Sequence, residues 1–297
     1  MSQEYRDKIL QSTAEGRKQS LFWQKTLVSV STSHYNHLFQ LAGNPSAGDY
    51  TQATALAATA ITGGSTPSPA ALYGTINLDD PTAGYDALLT TVKAWANASN
   101  VYGTLILVDL LALYRGVDGN TAGAQAMTVT PTTGDLILPR YTDGKGVQIL
   151  TDIQVALGAN ARTLTVNYTD DGGNAGVTPS HTTVASQTAS KIMYANTIGS
   201  PFMQLASGDK GVKSIQSAAL NLGTGAGTFA LWLCKPLLVM PVISIATSTN
   251  NYGEVRGIDD GSVVEIQPGA ALSWVWVPGA AGTGVFQGQL DKVDVAQ

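Results

Sequence analysis

The sequence predicts a mainly β protein: an antiparallel β-sandwich or jelly-roll-like core preceded by a short helical or extended N-terminal arm. Three observations carry that expectation. From about residue 85 onward the apolar residues recur with period two, the signature of half-buried strands. The alternating stretches are short and bounded by Gly, Asn, Asp and Pro, the spacing of sandwiches, jelly rolls and barrels. A single cysteine, Cys234, cannot close an internal disulfide, so a chain of 297 residues must stand on a packed core, which its length allows.

Taken in order, residues 1–40 read as the N-terminal arm. Ile9, Leu10, Leu21 and Phe22 make a loose amphipathic pattern interrupted by Gly16, which suggests one or two short helices. Residues 41–84 are poor in bulky side chains and punctuated by Gly and Pro, a loop-rich connecting segment. Residues 85–297 form the β-rich domain, long enough for two packed β-sandwiches. Its strands are read at 103–114, 146–157, 163–169, 212–222, 228–233, 262–266, 272–277 and 284–290. The stretch "YDALLTTVKAWANAS" (85–99) fits a helical face as well as alternation, and its neighbours favour a strand. The apolar window 229–246 approaches the length of a membrane span, but Lys235, Pro236 and Pro241 break it into strand-sized pieces. No internal repeat or heptad run is visible.

Composition narrows the function classes. Only 12% of residues are charged, with a net charge of -5 and a pI near 5.1, so neither a basic surface for a phosphate backbone nor a nucleic-acid partner is expected. The basic residues Arg6, Lys8, Arg17, Lys18 and Lys25 alternate with Glu4, Asp7 and Glu15, which reads as a solvated face. The polar N-terminus lacks the apolar core of a secretory signal, so synthesis in the cytoplasm without membrane insertion is expected.

The candidate chemistry is sparse. "TLTVNYTDDGGNAG" (163–176) offers Asp170, Asp171 and Asn174 but no closing glutamate for a calcium loop, and its composition suits a hairpin tip. "GVDGN" (116–120), "YTDGKG" (141–146) and "GIDDG" (257–261) read as turns for the same reason. "GTGAGT" (223–228) leads into a strand rather than the helix N-terminus a phosphate loop needs. "GNPSAG" (43–48) misses nucleophile-elbow spacing at Ser46.

His34 and His37 are spaced to share a helical face, but His181 lies far off and no third ligand completes a zinc site. Asp109, inside an apolar strand with Arg115 nearby, reads as a structural ion pair or an exposed acid; a glycosidase would need to pair it with Asp143 or Asp152 in a cleft. Trp274 and Trp276 share one strand face, suited to a core, a subunit contact or a sugar platform. The expectation is therefore a protein with no catalytic, cofactor-binding or metal-ligating residue: not an enzyme, and without cofactors.

Several stretches resemble one family. "HLFQLAGNPSAG" (37–48), "GTLILVDLLALYRGVDG" (103–119), "LILPRYTDGKGVQI" (136–149), "TLTVNYTDDGGNAG" (163–176) and "GDKGVKSIQSAALNLGTGAGTFALWLCKPL" (208–237) look like blocks of a family of tailed-bacteriophage structural proteins encoded among head genes. The resemblance implies a virion protein on the capsid surface, made in the host cytoplasm, with the major capsid protein and copies of itself as partners. On that basis a decoration or cement protein is expected, most simply a symmetric trimer, with a head-fibre or tail-associated adhesin binding host glycan or protein as the alternative.

Overall fold

A computed structural model describes residues 3–30, 35–39, 41–48, 57–63, 74–97, 102–127, 136–183, 192, 200–243, 252–257, 263–279 and 282–297. Among the described residues one helix, α1 (Gln3–Ala14), comes first. The strands that follow are β1 (Lys18–Val30), β2 (Asn36–His37), β3 (Gly43–Asn44), β4 (Ala57–Ala60), β5 (Ile76–Asn77), β6 (Tyr85–Asn97), β7 (Tyr102–Asp118), β8 (Gly123–Ala126) and β9 (Gln148–Val155). The second half adds β10 (Thr163–Asp170), β11 (Ala175–Val177), β12 (His181–Thr182), β13 (Val212–Leu220), β14 (Thr228–Ile243), β15 (Tyr252–Gly257), β16 (Val264–Ile266), β17 (Ala271–Pro278) and β18 (Gly282–Ala296). The protein is mainly β with a sandwich-like core and a short N-terminal helix, as the sequence predicts.

Thirteen described strands join one antiparallel sheet in the order β2-β17-β7-β14-β15-β6-β18-β1-β3, with β16 on β6, β5 on β17, β4 on β7 and β9 on β14. β15 is its corner: Tyr252 and Gly253 pair with the end of β14, and the next four residues pair with β6. The two halves of the sheet therefore fold onto each other. Trp23, Val92, Ala94, Phe286 and Leu290 from one half meet Leu105, Leu107, Met240, Leu272, Trp274 and Trp276 from the other. Truncating aromatic side chains buried this deeply typically costs about 3–5 kcal/mol each.

β7 and β14 are long enough to serve a second layer pair. Farther along them, Leu111, Tyr114, Val117, Phe229, Leu231 and Leu233 pack against Leu164, Val166, Tyr168, Val212, Ile215 and Leu220 of the five-stranded sheet β11-β10-β13-β8, with β12 on β10. The opposite face of the same long strands is closed by Tyr35, Phe39, Ile61 and Ile192.

Two sequence expectations change. Residues 18–30, read within the arm, form β1 and pair with β18 along most of their length. Leu21 and Trp23 face inward and Phe22 and Gln24 outward, but Lys25 takes the next inward position and disguises the alternation. The apolar window broken by prolines is instead one strand, β14. Between Lys235 and Pro241 it has β7 on one side and no strand neighbour among the described residues on the other. A proline costs no ladder bond where its nitrogen faces such an open edge. Val108 and Thr104, the partners of Pro236 and Pro241, lie four apart on β7, and the irregularity between Pro236 and Leu238 keeps both prolines in the same phase.

Outside the sandwich, α1 docks by Tyr5 and Ile9 on Leu88, Val293 and Val295. It covers one end of the outer face of β6 and β18 and leaves the other end open.

Candidate functional site

Asp109 sits on the β7 face shared with Leu105 and Leu107 and is fully buried. Its partner is Arg140, not Arg115. The guanidinium grips the carboxylate through two bonds of 2.7 and 2.9 Å, and the Ala271 amide donates to it at 2.9 Å. On this edge of β7, β17 ends opposite Asp109 and β4 begins opposite Ala112, leaving a break in the sheet. Arg140 fills that break by donating to the Leu110 and Ile61 carbonyls at 2.8 and 3.1 Å. Burial pushes the Asp109 carboxyl upward, and the Arg140 bonds and charge oppose that push. Every oxygen of this acid is committed to the protein's own architecture.

Asp152 lies on the opposite face, beside Leu150 and Trp232. Its carboxylate is 2.5 Å from His37 Nε2, with both side chains fully buried, and Trp232 Nε1 donates to it at 3.4 Å. The His37 ring stacks on Phe39 with centroids 3.9 Å apart. Asp109 and Asp152 thus do not converge, and Asp143 is solvent-exposed, so the pairings a glycosidase would need are not formed. His34 lies outside the described residues. His181 stands in β12, with Nε2 3.5 Å from the Gln204 carbonyl oxygen, apart from His37. Among the described residues no group of three His, Cys, Asp or Glu could hold a metal ion.

The turn at 170–174 resolves into a hairpin tip. The Asn174 amide donates to Asp170 Oδ1 at 2.6 Å and its side chain to Oδ2 at 3.3 Å, while the Lys210 amide donates to Asp171 at 3.1 Å. The Asn174 backbone bond leads the hydrogen bonds that hold the Asp170 carboxyl below its usual range. At 116–120, Asp118 accepts from Asn120 and Thr121 in the same manner. Residues 223–227 connect β13 to β14 without a helix, and most of 257–261 lies outside the described residues.

Trp274 and Trp276 are 1% and 0% exposed. Trp274 packs on Trp23 at 5.2 Å and Trp276 on Phe286 at 4.7 Å, so the tryptophan pair is core and offers no sugar platform. Lys25, counted in sequence with a solvated face, is buried, and its ammonium donates to the Leu41, Pro45 and Ser46 carbonyls at 3.2, 2.8 and 3.3 Å. Sequence reasoning missed this cage and the His37–Asp152 pair. The available signal was the same for both: an ionisable residue placed where the alternation demands an apolar one.

Among the described residues, one stretch of surface is suited to contact with other molecules. Tyr102 and Ile243 face each other across β7 and β14, and Val239 and Pro241 share the face of Ile243. Tyr102, Val239 and Ile243 are 51%, 55% and 53% exposed, and Val277 beside them is only half-buried. This row continues the apolar face under Tyr35 and Phe39 beyond the end of its cover. Against family models, curated proteins and solved structures, the chain matches none.

Proposed function

We propose that this protein is a structural component of a tailed-phage virion, a decoration or cement protein that stabilises the head lattice by repeated contacts with the major capsid protein and with copies of itself. The observation that carries the reading is the exposed apolar row Tyr102, Val239 and Ile243, which lies on paired strands and not on a loop. Neighbouring exposed apolar side chains of this kind are the material from which a contact face is built. The low charge and the resemblance of residues 37–237 to head-cluster proteins point the same way. Asp109, His37 and Asp152, which sequence singled out as chemistry, are consumed in internal pairs. The mechanism is mass action: a protein that binds only the assembled shell shifts the equilibrium toward that shell.

The test is the copy number of the protein in purified particles, by quantitative mass spectrometry against the major capsid protein. Copies in the range of the capsid protein support the lattice role. A handful per particle would move it to a fibre, portal or tail.

A further inference from the structure

The open end of the outer sheet face carries two cross-strand rows. Gln24, Gln287 and Trp95 form one, and Phe22, Gln289 and Lys93 the next. An open cleft of about 270 Å³ lies here, lined by Phe22, Gln24, Asn44, Trp95, Gln287 and Gly288 among others. Trp95 Nε1 donates to Gln287 Oε1 at 3.1 Å, and Gln287 Nε2 donates to Gln24 Oε1 at 3.0 Å. Asn44 Nδ2 donates to the Phe22 carbonyl at 3.1 Å. These bonds fix the indole and the amides in place. They also leave the Gln24 amino group and the Asn44 carbonyl oxygen without a protein partner among the described residues, facing a cleft that no charged side chain lines.

Phe22 is 62% exposed on the face of a regular strand, where a polar residue would be the ordinary choice. A peptide adding as an extra strand is blocked here, because β3 already pairs with β1 at Gln24 and Lys25. An anion would find no cation lining the cleft. Aromatic faces take the flat C–H face of a pyranose, and carboxamides both donate to and accept from neighbouring hydroxyls. The volume is close to the lower limit of about 300 Å³ for ligand pockets, enough for a short saccharide segment.

We propose that this cleft binds a neutral saccharide, stacked on Trp95 and Phe22 and hydrogen-bonded by Gln24, Gln287 and Asn44. The site goes beyond the lattice role and does not depend on it.

The experiment is saturation-transfer NMR and tryptophan emission on the full chain. The probes are methyl glucoside, methyl galactoside, N-acetylglucosamine and short oligomers of each. The expected result is saturable binding of at least one probe in the millimolar range, with saturation strongest on ring C–H protons. Trp95→Ala, Gln287→Ala and the exposed Phe22→Ala should each weaken it about tenfold or more. Phe22→Ala should leave the thermal midpoint unchanged, which separates lost binding from lost folding. No saturable binding of any probe by the wild-type protein overturns the proposal. So does undiminished binding by a folded Phe22→Ala protein together with either of the other variants.

Discussion

At Lys25 local chemistry and global packing conflict openly. β1 turns it inward, next to Trp23, and burial lowers its ammonium from 10.5 to about 8. Three carbonyls from residues 41–46 meet the charge, and in doing so they tie that segment to the sheet. Below about pH 8 the lysine is protonated whether folded or unfolded, so the folded state carries the full cost of burying a cation. Between about 8 and 10.5 the unfolded chain still holds a proton that the folded chain has released, so this group makes stability rise with pH. Urea unfolding of wild type and Lys25→Met across that window should show wild type gaining on the variant by up to about 3 kcal/mol. Tyr168, pushed up to about 12 by burial and its bond to Asp209, acts in the opposite sense above pH 10, and the comparison with Lys25→Met cancels it. A flat difference would mean that the carbonyl cage holds the cation fully charged.

At the scale of elements, the long strands show what alternation reveals and what it conceals. β6, β7, β9, β10, β13 and β17 are legible because each places apolar side chains on at least one regularly spaced face. β1 is concealed by an inward lysine, and β14 beyond the stretch legible at 228–233 by two edge prolines. Both exceptions need partners distant in sequence, so no local window can display them. The same holds for Arg140, whose place in the break between β4 and β17 follows from where two other strands stop. Arg140→Ala should destabilise the protein by about 3–5 kcal/mol, since it strands the buried Asp109 carboxylate and two carbonyls. Urea unfolding measures that loss; a cost below about 1 kcal/mol would mean water enters the break and replaces the guanidinium.

For the whole molecule, two apolar cores line successive stretches of β7 and β14, so a surface on those strands is backed by packed side chains and not by a loop. That is why the row Tyr102, Val239 and Ile243 matters more than scattered exposed residues such as Leu10 or Ile137. The sequence could not single out this row, because its residues look like core and only the end of the loop cover decides their exposure. Replacing all three by serine should cost only about 1 kcal/mol of folding stability per site, because half of each side chain is exposed already. Association should respond very differently. A symmetric oligomer repeats each contact at every interface, so the triple variant removes apolar surface from all of them together. Sedimentation of the variant should show smaller species than wild type at equal concentration, and its binding to undecorated capsids should weaken by about tenfold or more. If wild type and variant sediment alike and bind shells equally, the row is no interface. The lattice reading would then lose the observation that carries it.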